Sequence, residues 1–163
     1  MEIPSELETQ INEVIAHYPV SKRSATLPLL HLLQEYFGYI SEETVMWVAE
    51  KLELGPINVL EVVTFYPMFR QEPVGKTHIR VCRTLSCAMA GGYDLLKSFC
   101  KHAQIGNEEG KRDHVMKSAD GKYSIEFVEC LASCGSGPVC MINDDFYEMV
   151  TQEKVPQLLE RYR

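Results

Sequence analysis

Thr77-His78-Ile79-Arg80-Val81-Cys82-Arg83-Thr84-Leu85-Ser86-Cys87 reads as an alternating β-like run that opens straight into a cysteine loop. Ser124-Ile125-Glu126-Phe127-Val128-Glu129-Cys130-Leu131-Ala132-Ser133-Cys134 repeats the arrangement further along. The spacings are Cys82-x4-Cys87 and Cys130-x3-Cys134. Four thiolates from two loops can close one metal site, and thiolate is the ligand that soft metals and iron–sulfur clusters select. Neither spacing is the short C-x2-C common in zinc ribbons and thioredoxin-type redox sites.

Between the two loops, residues 91–103 have helical spacing, with Tyr93, Leu96, Phe99 and Cys100 on the inner face. A polar loop over 106–113 follows. Residues 114–117 and 122–128 flank Ser118-Ala119-Asp120-Gly121, whose Asp-Gly pair signals a hairpin. Residues 139–142 and 146–150 flank Asn143-Asp144-Asp145, a second hairpin. A helix is expected over about 152–162. The order β-α-β-β-β-α with one early crossover fits a small α/β sandwich of thioredoxin-like type.

The first part of the chain has a different period. Ser5-Glu6-Leu7-Glu8 matches a capping box, with Leu7, Ile11, Val14 and Ile15 on one helical face and Pro19 as the stop. Ser24 is expected to open a second helix, with Leu27, Leu30, Leu33 and Phe37 at helical spacing and Gly38 as its end. Ser41 caps a third, with Glu42 and Glu43 suited to its N-terminal dipole, Val45, Val48 and Leu52 facing inward and Gly55 ending it. Pro56 starts a fourth, running to about Phe65. The expected organisation is an N-terminal helical bundle over 1–70 and a second domain over 76–163. Residues 66–76, with Pro67, Pro73 and Gly75, read as the linker. The apolar group Tyr66, Pro67, Met68 and Phe69 within it is left between packing and docking on a partner.

The chain has 163 residues and a net charge of −7, with 45% hydrophobic residues. That composition is globular and argues against a nucleic-acid binder, since there is no basic stripe to displace counterions. No apolar run approaches a membrane span, and the start Met1-Glu2-Ile3-Pro4 is not a signal peptide, so a cytosolic setting is expected. In that setting cysteines serve as ligands or catalysts more often than as disulfides.

Four readings of the cysteine loops stay open on spacing alone: a 2Fe-2S cluster, structural zinc, a dithiol redox pair and inert buried thiols. Small residues favour close backbone approach to a cluster. They are Ser86, Ala88, Ala90, Gly91 and Gly92 around the first pair, and Ala132, Ser133, Gly135, Ser136 and Gly137 around the second. Their N–H groups would tune a reduction potential. Cys100 and Cys140 sit in a helix face and a strand, and are read as core residues. His17, His31, His78, His102 and His114 are scattered and read as surface or satisfied core residues. Asn143-Asp144-Asp145 is turn chemistry rather than a calcium loop. The glutamates Glu2, Glu6, Glu8 and Glu13 form a solvated face. Gly91-Gly92 lacks the further glycine of a nucleotide fingerprint.

Val128-Glu129-Cys130-Leu131-Ala132-Ser133-Cys134, Pro138 and Ile142-Asn143-Asp144-Asp145-Phe146-Tyr147-Glu148 resemble the thioredoxin-like 2Fe-2S ferredoxin subunit of bacterial NADH:quinone oxidoreductase, respiratory complex I. Val81-Cys82 to Cys87 resembles its first ligand loop. Arg23-Ser24-Ala25, Leu29-Leu30-His31-Leu32, Gln34-Glu35, Val63-Thr64-Phe65-Tyr66 and Met68-Phe69 resemble its helical region. The resemblance spans about 10–160. It implies a helical extension followed by a thioredoxin-like 2Fe-2S ferredoxin domain, with Cys82, Cys87, Cys130 and Cys134 as the cluster ligands. It also implies a partner, the flavin- and NADH-binding subunit of the same complex, from whose FMN the cluster takes single electrons. The chain would then be part of an NADH dehydrogenase with no substrate site of its own, in the peripheral arm on the cytoplasmic side of the membrane. Ser133 and Ser136-Gly137-Pro138 depart from the family's usual residues, which bears on hydrogen bonding around the cluster. The competing expectations are a diaphorase component of an NAD-linked hydrogenase or formate dehydrogenase, and a zinc-stabilised interaction module.

Overall fold

The computed structural model describes residues 2–106 and 115–162. It divides into two compact units, Met1–Pro73 and Val74–Arg163.

In the first unit, four α-helices stand among the described residues: α1 Ser5–Ala16, α2 Thr26–Phe37, α3 Glu42–Leu52 and α4 Pro56–Phe65. Leu7, Ile11, Leu29, Leu30, Leu33, Val48, Leu52, Val59 and Val63 fill their common core. Each such side chain, fully buried, contributes about 1.5–3 kcal/mol of transfer free energy. Ser41 caps α3 as expected: its hydroxyl accepts from the Thr44 N–H at 3.1 Å. Pro56 opens α4 as expected.

Other boundaries differ. The cap of α1 lies one residue before Ser5, the first residue of the expected box, because extended Pro4 is the N-cap and its carbonyl accepts from the Glu8 N–H at 2.9 Å. Ser5 is therefore inside α1 and makes no cap bond. A 3₁₀ turn, Lys22–Ala25, precedes α2, so Ser24 does not open that helix. Helix α3 ends at Glu53, left-handed with φ 59°, where the Leu54 N–H reaches back to the Ala49 carbonyl at 2.8 Å. That backbone pattern does the work expected of Gly55, which instead caps the start of α4.

The first half of the expected linker belongs to the helical unit. Phe69 is buried in its core, while Phe65 and Met68 face outward. Gln34 fixes the segment from both sides, donating to the Met68 carbonyl at 2.9 Å and accepting from the Arg70 N–H at 2.7 Å.

The second unit contains β1 Thr77–Cys82, α5 Leu85–Met89, α6 Gly92–His102, β2 Met116–Lys117, β3 Tyr123–Val128, β4 Cys140–Ile142, β5 Asp145–Tyr147 and α7 Val155–Glu160. Among the described residues the sheet has five strands in the order β2-β3-β1-β4-β5. Each strand falls on one of the five runs expected from sequence, although the order β-α-β-β-β-α counts only four of them, and the short helix α5 is an addition. Position 114, expected in a strand, and most of the polar loop over 106–113 lie outside the described residues. Strands β1 and β3 pair in parallel, and the other neighbours are antiparallel. The Asp120-Gly121 turn joins β2 to β3, with Gly121 at φ 69°. Leu95, Leu96, Phe99 and Cys100 of α6 pack with Ile79, Val81, Ile125, Val155 and Leu158. Leu95 rather than Tyr93 completes the buried face; the Tyr93 ring packs tilted against Phe127, centroids 4.9 Å apart. Strand β5 stops at Tyr147 because Met149 turns to φ 47° and its N–H leaves the ladder for the Ser136 carbonyl, 2.8 Å away. The expected C-terminal helix is a 3₁₀ turn, Gln152–Lys154, followed by α7 with Pro156 in its first turn.

Candidate metal centre

The parallel register brings the two cysteine loops together. Cys82, the last residue of β1, pairs with Val128, the last residue of β3. Parallel strands that stop in step open their following loops at the same end of a sheet. Strand β4 runs antiparallel to β1 with Cys140 opposite Val81, so the chain leaving Cys134 re-enters the sheet at that end too. Cys82, Cys87, Cys130 and Cys134 are all free thiols.

Their environments differ. Cys82 and Cys87 are each 1% exposed, packed with Val139 and flanked by Leu131, whereas Cys130 and Cys134 are exposed. The Cys82 Sγ lies 3.2 Å from the Thr84 hydroxyl and donates to the Glu129 carbonyl at 3.0 Å. Burial pushes the Cys82 thiol up, but hydrogen bonds from the Thr84 hydroxyl, the Leu131 and Thr84 backbone and the Cys87 thiol outweigh it, leaving it below its ordinary value. Cys87 moves the other way. Burial raises it, the Val139 N–H opposes, and the neighbouring Cys82 and Cys134 charges raise it further. The Ala132 N–H points at the Cys130 Sγ at 3.3 Å.

Gly92 makes the close packing of the first loop possible, while Gly137 packs against Cys87 at ordinary contact distance. A Cβ on Gly92 would stand 2.9 Å from the carbonyl oxygens of both Cys82 and Cys87. A Cβ on Gly137 would lie 3.5 Å from the Cys87 Sγ. An ion pair spans the loops: Arg83 Nε and Nη2 donate to Glu129 Oε1 at 2.9 and 2.6 Å. The Gly137–Pro138 peptide bond is cis.

These features fit a thiolate-held iron–sulfur group. Backbone N–H groups already face three of the sulfurs, which is how such groups are oriented and tuned. A charge on Cys82 raises the Cys87 thiol, and a bound cation would offset that repulsion. Among the described residues no three His, Cys, Asp or Glu side chains converge as ligands of a single ion.

Some roles were not read from sequence: Thr84, Arg83 with Glu129, and a contact of Glu148 with both Ser133 and Ser136. Thr84, two residues after Cys82, and the Arg83/Glu129 charges flanking the loops were visible signals. The described histidines stand apart from the loops: His31 stacks on Phe69, His78 bonds Glu126, His102 bonds the Ser98 carbonyl and His17 is exposed. His114 lies outside the described residues. The Asn143 side chain accepts from the His78 N–H at 2.8 Å, as a turn residue.

Fold and site define a thioredoxin-like protein with four free thiols on two loops at one end of its sheet. The family model described as thioredoxin-like [2Fe-2S] ferredoxin matches residues 11–163, and the chain belongs to that family, whose cofactor is an iron–sulfur cluster. An NADH-quinone oxidoreductase subunit of Rickettsia bellii is 39% identical over 153 residues, covering 93% of this chain and 87% of its own. The corresponding NADH-quinone oxidoreductase subunit of Aquifex aeolicus is 40% identical over 162 residues, covering 99% of this chain and 96% of its own. Among solved structures, an NAD+-reducing [NiFe]-hydrogenase matches with a TM-score of 0.67 and 18% identity, over 84% of this chain. This chain spans only 22% of that one, and the likeness is one of fold.

Proposed function

We propose that the chain is the 2Fe-2S electron-transfer subunit of an NADH:quinone oxidoreductase, with Cys82, Cys87, Cys130 and Cys134 as the cluster ligands. The parallel register of β1 with β3 carries this reading, since it opens both cysteine loops at one sheet end. When bound, the cluster supplies one-electron chemistry. The chain's own residues hold and tune it. Cys82 and Cys87 would hold one iron and Cys130 and Cys134 the other, since close sequence neighbours reach one metal most easily. The buried first pair and the N–H groups of Leu131, Thr84, Val139 and Ala132 set the sulfur environment.

The partner is the flavin- and NADH-binding subunit of the same complex, whose FMN is the electron source. FMN and NADH reside there, not on this chain. The assembly is the peripheral arm of a membrane-bound complex on its cytoplasmic side. In support, the Rickettsia bellii and Aquifex aeolicus relatives are NADH-quinone oxidoreductase subunits.

Anaerobic NADH addition tests the reading. In a co-purified complex with the flavoprotein and quinone-reducing subunits, NADH bleaches the cluster absorbance, while the isolated chain does not respond. Direct bleaching of the isolated chain, or co-purification with hydrogenase subunits instead, contradicts it.

A further inference from the structure

Glu148 follows β5 and runs back beside the second cysteine loop. Its Oε1 accepts from the hydroxyls of both Ser133 and Ser136. The two hydroxyls also touch, at 2.6 Å, and the Ser136 N–H donates to the Ser133 carbonyl at 3.2 Å. The following residues continue the attachment: the Met149 N–H donates to the Ser136 carbonyl at 2.8 Å and the Val150 N–H to the Pro138 carbonyl at 3.0 Å. Ser133 directly precedes Cys134, and Ser136 follows it by two residues. The Glu148 carboxylate is thus tied to the two hydroxyls that flank one cysteine. Those donors hold its carboxyl below the usual carboxylate range. Glu148 is exposed, so the tie is not needed to satisfy a buried charge.

We infer that Glu148 is a positioning residue for the Cys134 loop: its carboxylate, clamped by Ser133 and Ser136, orders that loop and keeps the cluster's reduction potential low. The sign follows from charge: a fixed negative charge beside a ligand disfavours adding an electron, and either loss of that charge or release of the carboxylate from the two hydroxyls removes it from the Cys134 loop. The inference rests on the proposed ligand set.

The test is a redox titration of the cluster-loaded full chain at low ionic strength, followed by visible absorbance and EPR. Three variants are compared with the unaltered chain: Glu148→Gln, the double variant Ser133→Ala/Ser136→Ala, and Asp144→Asn. The last removes the same charge at the turn, the opposite end of the β4–β5 hairpin. The expected result is a higher potential in Glu148→Gln and in the serine double variant, with a much smaller change in Asp144→Asn. If Glu148→Gln and the double variant both lose the cluster while Asp144→Asn keeps it, the loop-ordering role stands. An unchanged potential in Glu148→Gln overturns the inference, as does an equal shift in Asp144→Asn. Where Glu148→Gln alone fails to load, an unchanged potential in the double variant overturns it. Absence of iron and sulfide from the unaltered chain defeats the ligand assignment instead, so the two failures are distinct.

Discussion

Gly92 lies against the carbonyl of Cys82: a Cβ at Gly92 would come to 2.9 Å from that oxygen, closer than real Cβ contacts occur. The first turn of α6 is thereby wedged beneath both ends of the first cysteine loop. In an open helix, glycine to alanine stabilises by roughly 0.5–1 kcal/mol. Here the overlap is with backbone, which cannot swing away, and overpacking of this kind costs about 1–3 kcal/mol. Gly92→Ala is therefore expected to destabilise the chain and to reduce iron retention, as read by thermal denaturation and iron content. A rise in melting temperature with full iron would contradict the packing account.

Ala132, between Cys130 and Cys134, holds a left-handed backbone with φ 59°. For a residue with a Cβ that conformation costs on the order of 1–2 kcal/mol. Ala132→Gly is expected to keep the cluster and leave stability unchanged or raised by up to about 1 kcal/mol. Ala132→Val is expected to lower it and to loosen the loop. Parallel thermal melts of the two variants check this, and equal effects would argue against strain at this position.

Cys140 and Cys100 are core thiols. Burial pushes Cys140 up to about 12 and Cys100 up to about 11, from an ordinary value of 9.0. Between the ordinary and the raised values the folded chain keeps protons that the unfolded chain has lost. Their stabilising contribution is full below pH 9, and it is lost as pH rises through about 11 and then about 12. Urea melts across that range are expected to show falling stability, with a shallower slope in Cys140→Ala. The same variant is expected to retain the full cluster, at a cost of about 1 kcal/mol in stability. Loss of the cluster in Cys140→Ala would instead place this thiol among the ligands.

Arg83 and Glu129 form a fork across the two loops, but Glu129 is largely solvated. Exposed pairs of this kind contribute about 0–1 kcal/mol. Arg83→Ala is expected to change the melting temperature only slightly and the iron content not at all. The small loss should fade in high salt, as screening predicts. A large loss of iron would assign the pair a larger role in holding the loops together.

The four proposed ligand positions were legible because each cysteine pair follows an alternating run, and the Asp120-Gly121 turn announced its hairpin. Ser41 and Pro56 marked their helix starts through local chemistry alone. What stayed hidden depends on the backbone path. Ser5 satisfies the capping pattern, yet Pro4 takes the cap position. Glu53 rather than Gly55 adopts the left-handed end of α3, since the chain closes its own hydrogen bond there. The Glu148 clamp joins residues separated by 15 and 12 positions, and exists only because the chain beyond β5 returns along the Cys134 loop. Phe69 looked like a linker residue among prolines, but the two hydrogen bonds of Gln34 to its neighbours hold that segment in the helical core.

Combined iron, acid-labile sulfide and EPR analysis of the anaerobically purified full chain tests the central claim most directly. The account predicts a red-brown protein with about two irons and two sulfides per chain and a one-electron EPR signal on reduction. Alanine at Cys82, Cys87, Cys130 or Cys134 is expected to abolish or severely deplete that cluster, whereas alanine at Cys100 or Cys140 leaves it. A colourless chain carrying zinc without sulfide, or a full cluster retained in both Cys82→Ala and Cys130→Ala, would contradict it.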